Sequence, residues 1–296
     1  MPFKVLAHAN TYNPPPGPVY GASYLANETI KNIAGRYDIR VVAHCGDCSA
    51  GADEYQMQHC AVTSLIRPLL AEGRHYLIIN GKNALRSADS ADVIQNDHFG
   101  LLRDNDLWKN LRYYPECASE TLEFSDGQKL RIIALPYLST WMFAAGRPIR
   151  SYLEMSAAAS EHVQNKLAEA LSADDPAVPL LVIYHGAVSV GGAQACSVGA
   201  IVPGYDVRIP IEMFPRRANV AVVAGHASRY GVLSRIKPMV VYAGFTVPTI
   251  FDTENTGVAL LNFDGTSWSH EFMPVDTVES HTVEINIGDL NNRRRT

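Results

Sequence analysis

Cysteine is scarce and odd in number. Five residues scattered over 296 do not make a disulfide framework, which suits a reducing compartment, and we expect a cytoplasmic protein. No apolar run approaches the roughly 18 residues that a membrane-spanning helix needs, so no membrane partner is expected. The start, Met1-Pro2-Phe3-Lys4, leads straight into an apolar strand pattern and lacks the apolar stretch and cleavage site of a secretory leader. There is no internal repeat, low-complexity tract or linker-like segment. Charged residues make up only 19%, and the net charge of -5 excludes coating of nucleic acid by bulk electrostatics. What is abundant is apolar: 47% hydrophobic residues, enough for the core of one large α/β domain.

The apolar residues are organised. Val5-Leu6-Ala7, Val41-Val42-Ala43, Tyr76-Leu77-Ile78-Ile79, Leu181-Val182-Ile183-Tyr184 and the run 220–224 are short and continuous, as strands buried on both faces are. Each ends on a polar cluster: His8-Ala9-Asn10-Thr11-Tyr12, Gly46-Asp47, Asn80-Gly81-Lys82-Asn83, His185-Gly186 and Gly225-His226. Loops at the carboxyl ends of such strands are where α/β proteins place their chemistry. Between them, helical spacing runs from about Gly21 to Ala34. It recurs from Asp53 through Met57, Ala61 and Leu65 until Pro68 should kink or end it, and from Tyr152 to Leu171. Asp126-Gly127 marks a hairpin between 121–124 and 130–135. Further strands are expected at 238–242, 257–263 and roughly 281–287.

Read in order, the clusters resemble the five motifs of the calcineurin-like metallophosphoesterases, most closely those of SbcD-type repair exonuclease subunits. That family runs Asp-x-His, Gly-Asp, Gly-Asn-His-Asp, His and Gly-His-x-His at successive strand ends. The corresponding stretches here are Asn10-Thr11-Tyr12, Gly46-Asp47, Gly81-Lys82-Asn83-Ala84, His185-Gly186 and Gly225-His226-Ala227-Ser228. Leu135-Pro136-Tyr137 and Tyr242-Ala243-Gly244 agree with weaker family features. The resemblance covers about residues 3 to 265. It implies an α/β fold, the αββα four-layer sandwich of two mixed sheets flanked by helices. The chain then reads as one domain over 1–296, with 266–296 as a C-terminal extension and no separate capping domain.

The resemblance also implies chemistry. The family cleaves phosphodiesters between two metal ions that hold the attacking and leaving oxygens. Mn²⁺ suits a mixed histidine and carboxylate shell. Here Asn10 stands for the first Asp, Tyr12 for the following His and Ser228 for the last His, all of which serve the first metal. The second site keeps Asp47, His185 and His226, three ligands that suit one ion with an open position. Its fourth ligand is open. If Gly81 matches the family glycine, Lys82 falls on the Asn ligand and Asn83 on the catalytic His. If the loop has slipped by one residue, Asn83 is the ligand and Ala84 replaces that His. In both cases the leaving-group acid is missing, and general acid catalysis is worth about 10² to 10⁴-fold.

Metal candidates are therefore Asp47, His185, His226, Asn10 and Asn83, with Lys82 and Asn83 as catalytic candidates. One Mn²⁺ or other divalent ion is expected at most, and a site with none is the other outcome. Arg216, Arg217, Arg229, Arg235 and Lys237 flank the Gly225-His226 turn in sequence, and Arg216 and Arg229 are candidate substrate-binding residues. Cys45-x-x-Cys48 with His59-Cys60 has only a partial zinc-knuckle spacing. Two functional readings stand. One is an SbcD-like homologue with a depleted dimetal centre, a weak or inactive phosphodiesterase that acts by binding DNA or a protein. The other is an active one-metal phosphodiesterase or DNA exonuclease using Asp47, His185 and His226. The family also suggests an ATPase or other protein partner and a homodimer.

Overall fold

Two six-stranded sheets lie face to face. The computed structural model describes residues 2–11, 18–48, 59–81, 108–138, 151–190, 193–194, 207–235, 237–247 and 256–276. The first sheet has the order β15-β14-β1-β2-β3-β4, built from β1 (Phe3–His8), β2 (Val41–His44), β3 (His75–Ile79), β4 (Leu111–Tyr114), β14 (Gly257–Phe263) and β15 (Trp268–Pro274). The second has the order β12-β13-β11-β7-β6-β5, from β5 (Ala118–Glu123), β6 (Lys129–Leu135), β7 (Leu180–His185), β11 (Val220–Gly225), β12 (Gly231–Ser234) and β13 (Met239–Tyr242). Each sheet has a run of four parallel strands: β1-β2-β3-β4, with antiparallel β14 and β15 on one side and β4 at the other edge, and β13-β11-β7-β6, flanked by antiparallel β12 and β5. A third, small sheet orders β10 (Arg208–Pro210), β8 (Ala187–Val190) and β9 (Ala193–Gln194).

The strict alternation of a strand explains the layers. Val5, Ala7, Val41, Ala43 and Leu77 face Leu181, Ile183, Ala221 and Val223 in the space between the sheets. The intervening Leu6, Val42, Tyr76 and Ile78 point outward, under Ala22, Ala26, Ile30 and Ile33 of helix α1 (Pro18–Arg36). On the far side Leu180, Val182, Val220 and Val222 pack under Ala159, Val163 and Leu167 of the long helix Tyr152–Ser172. Both faces of the central strands are therefore buried, which is why they read as unbroken apolar runs. The αββα arrangement expected from the sequence is present.

The second helical segment departs from its expected form. Pro68 does not end it: a π-helical turn, Val62–Ile66, is followed by the short helix α2 (Arg67–Ala71) with Pro68 in its first turn. The amide of Arg67 bonds to the carbonyl of Val62, five residues back. The widened turn accommodates a proline that has no N–H and whose ring would crowd the preceding turn. The long helix Tyr152–Ser172 is then α3, and the side chain of Ser151 caps it by accepting from the Glu154 amide at 3.3 Å. The stretch from 266 onward adds the strand β15, not anticipated from the sequence, to the edge of the first sheet. The strand expected at 281–287 and the helical start at 53–58 lie outside the described residues. Among the described residues no helix is long and apolar enough to cross a membrane.

Candidate functional site

The parallel strands of both sheets end on the same rim. Asp47 leaves β2, Gly81 leaves β3, Tyr137 leaves β6, His185 closes β7 and His226 follows β11. Strand register brings His185 opposite Gly225. The result is direct adjacency: Asp47 Oδ2 lies 3.5 Å from His185 Nε2. The ring of His185 is 5.3 Å from that of His226, at 63°. Tyr137 packs against both imidazoles, with centroids 6.0 Å and 6.4 Å away.

The proton positions on His185 follow from its partners. Nδ1 sits 2.7 Å from the carbonyl oxygen of Cys45, and a carbonyl only accepts, so Nδ1 carries the hydrogen. In the neutral ring Nε2 is then a bare lone pair. It is buried, has no hydrogen-bond partner, and faces the Asp47 carboxylate. Two acceptors held this close call for positive charge between them, either a proton on His185 or a cation.

The backbone at the rim is strained. Asn10 (φ 51°), Asp47 (φ 58°) and His226 (φ 75°) are three of the four non-glycine residues in the left-handed region among those described. Such conformations cost on the order of 1–3 kcal/mol each and persist where surrounding contacts impose them. Here they do: the amides of Asn10 and Thr11 bond to the carbonyls of Gly46 and Asp47 at 3.0 and 3.1 Å. Asn10 Nδ2 reaches across to the carbonyl of Ala227 at 3.2 Å. The glycines close the site. A Cβ at Gly81 would overlap the backbone and carboxylate of Asp47, and one at Gly225 would overlap the Cys45 carbonyl.

Beneath the rim lies a polar chain that sequence reasoning did not single out. The Gly46 amide donates to His44 Nδ1 at 3.2 Å. The neutral ring therefore carries its hydrogen on Nε2, which donates to Thr11 Oγ1 at 2.5 Å. The Thr11 hydroxyl lies 3.4 Å from His8 Nδ1, and His8 Nε2 is 3.0 Å from the Tyr76 hydroxyl. All four side chains are buried. Burial pushes His8 down to about 3, and burial followed by the neighbouring His8 charge holds His44 well below its ordinary value. The signal was present as two histidines at in-register strand ends, His8 beside His44.

The sequence-based candidates divide. Asp47, His185 and His226 come together, and Asn10 joins them through Ala227. Tyr12, Lys82 and Asn83 lie outside the described residues. Of the candidate substrate-binding residues, Arg216 precedes β11 in the chain and Arg229 follows it. The Arg217 carbonyl accepts from the amide of Val220, at the start of β11, and the Arg217 guanidinium pairs with Asp174.

The metal set expected from the sequence can be followed only at Asp47, His185, His226 and Asn10, since Asn83 lies outside the described residues. Among the described residues no three His, Cys, Asp or Glu side chains are grouped so as to hold an ion. Asp47 and His185 supply two facing donors, whereas His226 meets His185 ring to ring. Asn10 Oδ1 is buried without a partner, an amide oxygen where the family has a carboxylate. A dimetal centre does not fit this donor set. Among the described residues a single ion would have Asp47 and His185, one short of the three protein ligands of an ordinary catalytic site.

No protein-family model and no curated protein matches the chain. Solved structures do match. A dimetal phosphatase from Danio rerio aligns over 93% of this chain and 98% of its own, at 12% identity and a TM-score of 0.52. GAP50, the anchor in the inner membrane complex of Plasmodium, aligns over 96% of this chain and 89% of its own, at 11% identity and 0.51. The calcineurin-like phosphoesterase YfkN from Bacillus subtilis covers 99% and 96%, at 12% and 0.44. At such identities the likeness concerns architecture alone. Two mixed six-stranded sheets with outer helices give this chain the overall fold of the dimetal phosphatase and of GAP50.

Proposed function

We propose that the protein is a phosphoesterase-fold homologue that acts by binding, with hydrolysis weak or lost. The facing pair carries this reading: His185 Nε2, buried and without a hydrogen bond, across 3.5 Å from Asp47 Oδ2. It leaves room for one positive charge, where a dimetal mechanism needs ligands for two ions about 4 Å apart. Asn10, with its amide nitrogen bonded to the Ala227 carbonyl, supports the loss of the first metal position. When bound, an ion at Asp47 and His185 would supply a Lewis-acidic charge for a phosphate oxygen. This chain's own residues would orient that phosphate against the His185, His226 and Tyr137 rings. The sequence resemblance to SbcD-type subunits favours a phosphodiester ligand, DNA, over a protein, and a role in DNA transactions goes with it. That one structural neighbour is described as an anchor is compatible with a binding role for the fold.

A one-metal phosphodiesterase is the second reading, favoured by the same orphaned Nε2. Elemental analysis for Mn, Zn and Fe, followed by turnover of bis-p-nitrophenyl phosphate and linear DNA with added Mn²⁺, separates the two. Salt-dependent DNA binding without turnover is the expected result. Metal-dependent turnover abolished by Asp47→Ala would overturn the binding reading in favour of the nuclease.

A further inference from the structure

A second concavity lies away from the rim, between α3 and the paired strands β8 and β10, with a volume of about 440 Å³. Its wall is tied down by a ladder of polar contacts. The Arg208 amide donates to Ser160 Oγ at 3.1 Å, Ser160 Oγ donates to the Ser156 carbonyl at 2.7 Å, and Gln164 Nε2 donates to the Arg208 carbonyl at 3.0 Å. The backbone of Arg208 is thus held against the helix on both sides. Its guanidinium is not engaged: neither it nor the carboxylate of Glu161 makes an ion pair or hydrogen bond among the described residues, although both line this cleft. Ser189 lines it too. That residue is only 8% exposed, and its hydroxyl has no partner among the described residues.

The Ser189 hydroxyl is not sealed from solvent and can donate to or accept from whatever enters the cleft. Two opposite charges that border one cleft and stay apart present a separated donor and acceptor. Leu153, Ala157 and Pro210 add an apolar wall, and the volume falls in the usual range for small-molecule sites. We infer that this cleft binds a small zwitterion, an amino acid or short peptide whose carboxylate meets Arg208 and Ser189 and whose ammonium meets Glu161. A simple anion fits less well, because Glu161 would repel it, and a simple cation is repelled by Arg208. The inference is independent of any metal at Asp47.

Glycyl-leucine is a suitable probe, titrated into the full chain and followed by amide chemical shifts and calorimetry. Saturable binding near the millimolar range is expected, a Kd that corresponds to about 4 kcal/mol. N-acetyl-glycyl-leucine and glycyl-leucine amide, each lacking one charge, should bind at least about tenfold more weakly. Arg208→Gln and Glu161→Gln should each reproduce the loss of the matching charge, with Asp47→Ala binding like the parent. Glu161 is at an exposed helix position, so that variant decides the matter if Arg208→Gln fails to fold. Absence of saturable binding overturns the inference. So does equal affinity for the capped probes, or binding unchanged in both variants.

Discussion

His185 faces Asp47 across 3.5 Å with its other ring nitrogen held by the Cys45 carbonyl, so the tautomer that leaves Nε2 bare is set by the backbone of β2's own loop. Through this arrangement a loop of the first sheet fixes which atom of a second-sheet side chain points into the site. Asp47 should therefore govern any divalent ion the protein takes up. Calorimetry with Mn²⁺ should show one equivalent at most, and Asp47→Ala should remove it along with any rise in melting temperature. At a metal concentration 100 times Kd that rise corresponds to about 2.7 kcal/mol. Two equivalents of tightly held metal would contradict the depleted centre.

Gly225 and Gly35 should respond oppositely to the same change. A Cβ at Gly225 collides with the Cys45 carbonyl and crowds His185 Nδ1 at 2.9 Å, while a Cβ at Gly35 meets nothing within 4 Å. Gly225→Ala should destabilise by about 1–3 kcal/mol, as overpacking against backbone does. Gly35→Ala, near the end of α1, should be neutral or stabilise by up to about 1 kcal/mol. Urea midpoints of the two variants test the contrast, and equal midpoints would show that the strand ends are not closely apposed.

Thr11 joins two histidines. Thr11→Val keeps the volume but leaves His44 Nε2 and His8 Nδ1 without their hydroxyl partner in a buried setting. The expected loss is about 1–3 kcal/mol, the penalty for orphaned buried polar groups. Chemical denaturation measures it; a change below about 0.5 kcal/mol would mean that the chain of contacts does not support the Gly46-Asp47 turn.

Acid should weaken the fold early. His8 is held down to about 3 in the folded chain against 6.5 when unfolded. Between those values the unfolded state binds more protons, so stability is fully present above about pH 6.5 and falls as pH drops towards 3. His8 alone should remove about 2 kcal/mol by about pH 5, at 1.36 kcal/mol per unit. His44, lowered in the same direction, should add to this. Denaturation midpoints at about pH 7.5 and 5 test the sign, and an unchanged midpoint would refute it.

The central strands were legible because parallel strands buried on both faces leave an unbroken apolar signature, and β1, β2, β3, β7 and β11 all begin and end near their apolar runs. The hairpin at Asp126-Gly127 was legible because Gly127 takes φ 78° in the turn. Marginal elements were not. β4, β8, β10 and β15 are short or mixed, with burial on one face only or at an edge, so neither period stands out. The π-turn before Pro68 was hidden for a related reason: proline predicts a broken helix, and the wider turn that avoids the break depends on packing.

Composition and apolar patterning determined the class of fold and the rim on which polar residues gather, because burial and strand alternation are local properties of a chain. The order of the strand-end clusters pointed to Asp47, His185 and His226. Only the tertiary structure decided what those residues can do together. Which nitrogen of His185 is bare, that Asn10 is tied to Ala227, and that His226 meets the His185 ring at 63° all depend on contacts between segments far apart in sequence. Donor geometry is fixed by such long-range hydrogen bonds, and no local pattern encodes them.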